Sequence, residues 1–335
     1  MTMTEVAQAA GVSLSTTSRY LRGQLRLSPT TAARIDDAVR ELNYERPART
    51  READPTTALR IALVLPELGN PFFAQIADAV SLVVASTAAS LYITVAGGEA
   101  TREAVLTDLL DGAARFDGMI YVGMEPSNSA VTAAIRRGFP VVVLDEALTD
   151  TPEVDTVCAD NFGGAYQATI YLLQLGHRSI AHIGGPSDLA TSQERERGFR
   201  AAFEHAGVPV NESSILHGPY SEQFGANAFT QLIGATPTAV FVGSDIAAVG
   251  LLGAAARFGY RVPHDLSVVG CDGIRVGEWL QPQLSTLRQP LRELAELAVG
   301  TLTRRIKDST TAPVSEQLPM TLTIRESSAA PAPTV

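Results

Sequence analysis

Lysine is nearly absent from this chain: of 26 Lys and Arg side chains only Lys307 is a lysine, a matter of composition rather than mechanism. Cysteine is almost as scarce. Cys158 and Cys271 are the two in 335 residues, and both sit in apolar stretches without neighbours at metal-ligand spacing. They read as inert buried thiols rather than a disulfide or metal pair. No apolar run is long enough for a membrane-spanning helix. The N-terminus follows an amphipathic helix pattern rather than that of a signal peptide, so the expected location is the cytoplasm, with no membrane partner. The five histidines (177, 182, 205, 217 and 264) do not cluster. No Ser-His-Asp order, metal spacing, GxGxxG or Walker loop accompanies them, so neither an enzyme nor a cofactor is expected.

What is present is 45 % hydrophobic and 19 % charged, the composition of a globular chain long enough for two or three domains. The net charge of −10 is unevenly spread. Residues 1–51 carry eight arginines (19, 22, 26, 34, 40, 46, 49, 51) against five acids (5, 36, 37, 41, 45), a local +3 that leaves −13 for the rest. A basic end on an acidic body confines nucleic-acid contact to that end.

That end reads as helix, tight turn, helix. Val6, Ala7 and Ala10 share one face at 3.6-residue spacing, Gly11 supplies a turn position that tolerates positive φ, and Ser13 suits an N-cap. The second helix exposes Leu14, Ser15, Thr16, Ser18, Arg19 and Arg22. Arginine can fork onto guanine and short hydroxyls can reach bases or phosphates, so this surface fits a DNA major groove. The alternative is an ordinary αα-corner. A third helix follows: Ser28 caps it, Pro29 opens it, and Ala32, Ile35, Ala38, Val39 and Leu42 form its apolar stripe.

Residues 45–58 are polar, contain proline and have almost no large apolar side chains, as a linker does. Strands are expected at 60–65, 91–95, 118–122, 141–144, 180–183, 239–242 and 267–270, with helices over 72–90, 162–175, 197–206, 246–258 and 291–307. Near-continuous apolar strands alternating with helices point to doubly wound parallel sheets, and the length suggests two lobes.

The ordered set Glu5-Val6-Ala7, Ala10-Gly11-Val12-Ser13, Thr17-Ser18-Arg19, Ser28-Pro29-Thr30-Thr31 and Glu41-Leu42-Asn43-Tyr44 resembles the headpiece of the lactose/galactose repressor (LacI/GalR) family. The likeness continues through Asn70-Pro71-Phe72-Phe73, Asp160–Ala165, Leu175-Gly176-His177-Arg178, Gly184-Gly185-Pro186, Arg195–Phe199, Ser267–Asp272 and Leu284–Pro290. It implies an all-α helix-turn-helix headpiece (1–47), a hinge (48–59) and a periplasmic-binding-protein-like body (60–327). The body's N-lobe is expected over about 60–157 and 288–315 and its C-lobe over about 158–287 and 316–327, followed by a disordered tail (328–335). It further implies a homodimer on double-stranded operator DNA and a small, sugar-like effector between the lobes. The polar end at 327–335 carries no leucine heptads, which favours a dimer over a tetramer.

Candidate DNA contacts are Thr4, Leu14, Ser15, Thr16, Ser18, Arg19, Arg22, Ser28, Tyr44, Arg49, Arg51 and Ala53. Thr17 stands where the family has an apolar residue, and its hydroxyl is expected to bond a carbonyl of its own helix. Ala53 falls where relatives carry a leucine that wedges into the minor groove, so less DNA bending is expected. Ligands of doubly wound sheets sit beyond the strand carboxyl ends, which makes Phe72, Phe73, Asp145, Arg195, Tyr220, Ser244 and Asp272 the effector candidates. Aromatics can stack on a sugar ring, carboxylates accept its hydroxyls, and a guanidinium offers forked donors. The alternatives are core residues for the phenylalanines, a cap or surface acid for Asp145, and an ion pair with Glu194 or Glu196 for Arg195. Ser244 replaces a common family asparagine, and Tyr220 lies near a position where relatives place an aromatic. The overall expectation is an effector-controlled transcriptional regulator, most simply a repressor; the alternative is a sugar-binding module without a DNA role.

Overall fold

The computed structural model describes residues 3–21, 25, 27–42, 58–111, 116–149, 151 and 153–332, in two units divided after Glu52. The first unit holds α1 (Met3–Ala10), α2 (Leu14–Leu21) and α3 (Pro29–Glu41). Val6, Ala10, Ile35 and Ala38 form its buried core, with Val12, Tyr20, Leu27, Val39 and Leu42 packed around them. Gly11 turns the chain at φ +61°, a conformation that costs glycine little. Ser13 Oγ accepts the Thr16 N–H at 3.2 Å and Ser28 Oγ accepts the Thr31 N–H at 3.4 Å, so both expected caps are in place. Arg34 of α3 donates to the carbonyls of Ala10 and Gly11, and Tyr20 donates to Asp36 at 3.0 Å, tying the turn and α2 to α3. Thr17 differs from expectation: its hydroxyl is fully buried and finds no hydrogen-bond partner.

The second unit begins β1 (Leu59–Leu65), α4 (Pro71–Ala85), β2 (Ala89–Val95), α5 (Glu99–Asp111), β3 (Gly118–Tyr121), α6 (Ser129–Arg136), β4 (Val141–Leu144) and β5 (Asp155–Ala159). The chain then crosses into α7 (Asn161–Gln174), β6 (Ile180–Gly184), α8 (Ala190–His205), β7 (Ile215–His217), α9 (Glu222–Leu232), β8 (Ala239–Val242), α10 (Asp245–Arg257), β9 (Ser267–Asp272) and β10 (Ser285–Arg288). It returns as α11 (Leu291–Lys307) and β11 (Ser315–Leu318), and crosses again into β12 (Thr321–Thr323). The first sheet runs β11-β5-β4-β3-β1-β2, all parallel; the second runs β12-β10-β9-β8-β6-β7, parallel except for the β12 edge. The two orders match strand for strand, so β4 and β9 are equivalent. Their carboxyl ends carry Asp145 and Asp272. β3, β4, β6, β8 and β9 are buried along their whole length, as parallel strands covered on both faces must be.

Several boundaries differ from the sequence reading. β5 reaches Ala159 and β11 reaches Leu318 within the first sheet, while Arg288 belongs to the second. The expected helix over 72–90 ends at Ala85, because Ala89–Val95 pairs with β1. The expected helix over 197–206 begins at Ala190. The segment expected as a disordered tail from 328 starts inside the body: Ser328 bonds Ser285 at 2.8 Å, and the Ala329 N–H and carbonyl bond Ser267 and His177.

α10 presents Ser244 and Asp245 at its start, and its position is set by close packing on α9. A Cβ on Gly225 would overlap the Ala247 carbonyl, and one on Gly250 would overlap that of Glu222. Gly225→Ala should therefore lower stability by ~1–3 kcal/mol through forced separation of the helices. Gly300, on α11 with open space around it, gives the control: Gly300→Ala should raise stability by ~0.5–1 kcal/mol. Thermal melts of the two variants should move in opposite directions.

Candidate functional site

On α2 the exposed surface consists of Leu14 (47 % exposed), Ser15 and Arg19, with Thr16 half-buried. Ser13 Oγ lies 3.0 Å from Ser15 Oγ and 2.8 Å from Thr16 Oγ1, so both hydroxyls are held at the helix start. Thr4 is exposed on α1, and Ser28 is exposed where it caps α3. Ser18 is the correction: it is 7 % exposed and, beside Thr17, forms the buried side of α2. Ser15 and Arg19, one turn apart, share the exposed face, while Thr17 and Ser18 turn toward the core of the unit. Arg22, Tyr44, Arg49, Arg51 and Ala53 lie outside the described residues.

The second site forms where the carboxyl ends of β4 and β9 meet. Its centre is Arg195, 3 % exposed in the second turn of α8. Nε donates to Asn161 Oδ1 at 2.8 Å, Nη1 donates to the Gly243 carbonyl, and Nη2 lies 3.6 Å from Asp272 Oδ1. The guanidinium covers the Tyr220 ring at 5.7 Å. Tyr220 fits there because residue 185 is glycine; a Cβ would collide with the ring. Neither Glu194 nor Glu196 pairs with Arg195: they hold Arg197 and Arg200. The structure thus brings together Asp145, Arg195, Tyr220, Ser244 and Asp272. It separates Phe72 and Phe73, which are 4 % and 2 % exposed in the large apolar core with their rings edge to face at 5.5 Å. The alternative reading, core residues at the start of a helix, describes them.

Three residues that complete the site, Gln289, Glu146 and Thr191, were not among the candidates, and Asp245, which follows Ser244 at the same strand end, joins them. Asp245 accepts from the Gly273 and Ile274 N–H groups and the Thr286 hydroxyl at 2.7–2.9 Å, fixing the turn that carries Asp272. Gln289, on a crossover, donates to Asp272 at 3.3 Å. Glu146 of the first lobe accepts the Thr191 hydroxyl at 2.6 Å and its N–H at 3.3 Å across the cleft. α8 has no side-chain cap of its own, so Glu146 supplies that role from the opposite lobe. Adjacency to Asp145, Ser244 and Arg288-Gln289-Pro290 was the available signal for Glu146, Asp245 and Gln289. Nothing local marked Thr191.

Both strand-end carboxylates adopt the left-handed region, Asp145 at φ 77° and Asp272 at φ 122°. Such residues cost about 1–3 kcal/mol each and persist where surroundings over-determine them. Burial pushes Asp145 up to about 7; Arg195 opposes this, and the Glu146 and Asp272 carboxylates add to it. Burial also raises Asp245 and Asp272, which lie close to each other. Asp145 Oδ1 and Gln289 Oε1 are buried without a close hydrogen-bond donor, while the Ser244 hydroxyl lies beside Asp272 and the Tyr220 hydroxyl beside Thr191. Buried polar atoms are rarely left unpaired.

The chain has likenesses over both units. The family profile "Bacterial regulatory proteins, lacI family" matches residues 2–47, and "Periplasmic binding protein-like domain" matches residues 169–328. The HTH-type transcriptional repressor PurR of Proteus mirabilis (strain HI4320) is 32 % identical over 308 residues, 91 % of this chain and 90 % of that one. Among solved structures, a transcriptional regulator CelR–cellobiose complex is similar with TM-score 0.76 and 30 % identity, covering 98 % of this chain and 99 % of that one. The lac repressor dimer bound to operator and the anti-inducer ONPF is similar with TM-score 0.72 and 25 % identity, covering 98 % and 99 %.

A stability measurement checks the electrostatics. The folded chain keeps the Asp145 proton up to about pH 7, whereas the unfolded chain releases it near the ordinary carboxylate value of 3.8. Folding then binds extra protons between those limits, so this residue's contribution falls as pH rises through them and its cost is complete above 7. Asp145→Asn, which also tolerates positive φ, should melt above the parent at pH 8 by ~1–4 kcal/mol of stability. The gap should shrink towards pH 5; a gap independent of pH would contradict the assignment.

Proposed function

Because the chain belongs to the LacI family of bacterial regulatory proteins, we propose that it is a DNA-binding transcriptional repressor whose operator affinity is set by a small molecule held between its two lobes. The observation that carries this is the polar and arginine face of α2, outward on a packed three-helix unit, in the same chain as a cleft lined by buried polar and charged groups. It works in the cytoplasm, on double-stranded DNA, as a homodimer. One headpiece reads a short half-site; two related by a two-fold axis read a pseudo-palindrome and gain affinity through linkage. Leu14, Ser15 and Arg19 face base edges in the major groove, and Thr4, Thr16 and Ser28 face the backbone. Tyr44, Arg22, Arg49, Arg51 and Ala53 complete the DNA side. The headpiece is assigned to residues 1–47, the hinge to 48–59 and the effector-binding body to 60–327.

The effector is sugar-like. One structural neighbour carries cellobiose, and paired carboxylates with a guanidinium suit vicinal hydroxyls. Asp145, Arg195, Tyr220, Ser244 and Asp272 contact it. Because Glu146 joins the first lobe to α8 of the second, ligand that tightens the cleft reinforces that bridge and fixes the lobe angle. In the sequence the headpiece joins the body through the polar segment 45–58, so ligand in the cleft acts on the headpiece as a change in linker spacing across the dimer. Effector binding weakens operator binding by about 1–3 kcal/mol, and operator weakens effector binding by the same factor.

Gel shifts of the purified dimer with its own upstream DNA, with and without a stabilising sugar, test the function. Arg19→Ala should cost ~1–3 kcal/mol and relax one base preference per half-site. Equal loss on all sequences would make Arg19 a phosphate contact only. Calorimetry of effector with and without operator should give affinities differing in the reciprocal sense; identical affinities would make the linker a passive tether.

A further inference from the structure

Resting on the reading of the cleft as an effector site, we propose that His217 is a positioning residue: its doubly protonated ring fixes the turn that carries Tyr220 against Arg195, and loss of a proton loosens that wall of the cleft. The observation is a histidine with an acceptor at each ring nitrogen. Nδ1 lies 3.2 Å from the Gly185 carbonyl, and Nε2 lies 3.0 Å from Glu196 Oε2. Neither partner has a hydrogen to give. A neutral imidazole has one N–H and one lone pair, so it satisfies one of the two; the imidazolium satisfies both.

The two bonds matter because of what they join. β7 is a three-residue strand at the edge of the second sheet, with His217 opposite Gly184 of β6. Tyr220 follows after Gly218 and Pro219. Its ring lies against Gly185 and faces the Arg195 guanidinium. Glu196 is the next residue after Arg195 on α8. His217 therefore ties the strand leading into Tyr220 to the residue that the ring rests on and to the neighbour of the cation that the ring covers. Its side chain is 29 % exposed, so solvent can deliver and remove the proton.

The charges facing the ring agree. Glu196 Oε1 accepts from Arg200 at 2.7 Å, and Arg200 turns its other nitrogens to Glu212 at 2.6 and 2.7 Å. Two carboxylates thus share one guanidinium, and Glu196 Oε2 is the oxygen left for His217. On β6, His182 lies beside the same glycine: a Cβ on Gly184 would meet His217 Nδ1 at 3.0 Å and His182 Nε2 at 3.3 Å. Burial holds His182 down to about 4 and pushes the Tyr220 hydroxyl up to about 12, so neither brings a competing charge. The docked arrangement uses both N–H groups of His217. Protons therefore favour it, and rising pH withdraws that support. A ligand that packs on Tyr220 gains affinity in acid by the same linkage.

The test uses the full-length dimer without ligand. Hydrogen exchange of peptides covering 184–187 and 217–222, corrected for the intrinsic pH dependence of exchange, is followed from about pH 5.5 to about pH 8. The parent should lose protection there by about tenfold or more as pH rises. His217→Gln keeps an uncharged donor but takes up no proton, and its profile should be flat. Glu196→Gln, which leaves Arg200 its Glu212 partner, should be flat as well. Asp145 also titrates in this range and remains in both variants, so any change that it causes persists in them. Nitrogen-15 NMR of the ring, assigned by the signal lost in His217→Gln, should show two protonated nitrogens at the acid end and one at the alkaline end. Equal change in the parent and both variants, or a single ring proton throughout, overturns the inference. Either result leaves the effector-controlled repressor standing, since no effector enters the measurement.

Discussion

The guanidinium of Arg195 has been taken out of water, and much of the body is arranged to compensate for that. A buried cation without partners is far too costly to keep. Here the compensation comes from the start of α7 through Asn161, the end of β8 through the Gly243 carbonyl and the end of β9 through Asp272. A fourth segment, the turn bearing Tyr220, closes over it as a ring. Four pieces of chain distant in sequence are thus fixed to one side chain. The helix that presents it reaches back to Ala190, so Arg195 projects from a rigid turn rather than a helix end. Asp245 then fixes the turn carrying Asp272, and Gly270 is required there, since a Cβ would collide with Asp245.

That arrangement lies in the second lobe, and the first lobe answers it through β4. Because the two sheets share a strand order, the strand that delivers Asp145 is the counterpart of the strand that delivers Asp272. Both residues take left-handed backbone conformations, so the same turn out of the strand aims a carboxylate from each side at the same cation. Symmetric topology thus yields an asymmetric site: Asp272 is paired with Arg195, while Asp145 keeps an oxygen without a close donor.

Legibility in the sequence followed hydrophobicity. β1, β3, β4, β6, β8 and β9 were readable because central parallel strands are apolar runs, and α1–α3 because their stripes and caps are local. β5, β10 and β11 were not, since Asp155, Ser285, Thr286, Glu316 and Gln317 make them polar to the eye. Asp155 is tolerated inside a strand because Arg305 pairs with it at 2.8 Å from α11, a partner 150 residues away. The chain end misled for the same reason: Ser327 and Ser328 read as a polar tail, yet their hydroxyls bond Val268 and Ser285 at the starts of β9 and β10. At the cleft, strand-end acids and the arginine could be picked out by position. Thr191 could not, because its role depends on Glu146 approaching from the other lobe.

The Glu146–Thr191 bridge links these points to control. A helix start without its own cap leaves N–H groups seeking an acceptor, and α8 takes that acceptor from across the cleft. Burial raises the Glu146 carboxyl, while the Thr191 hydroxyl and N–H oppose that rise. Separating the lobes would return Glu146 to water and remove the cap of α8, two effects of opposite sign. A balance of that kind is what a regulator needs, since a ligand can shift an equilibrium only by its differential affinity for the two states. Contacts worth ~1–3 kcal/mol suffice when the starting gap is of that size. Arg195 is held entirely within the second lobe, by Asn161, Gly243 and Asp272, whereas Glu146 makes its bond from one lobe to the other.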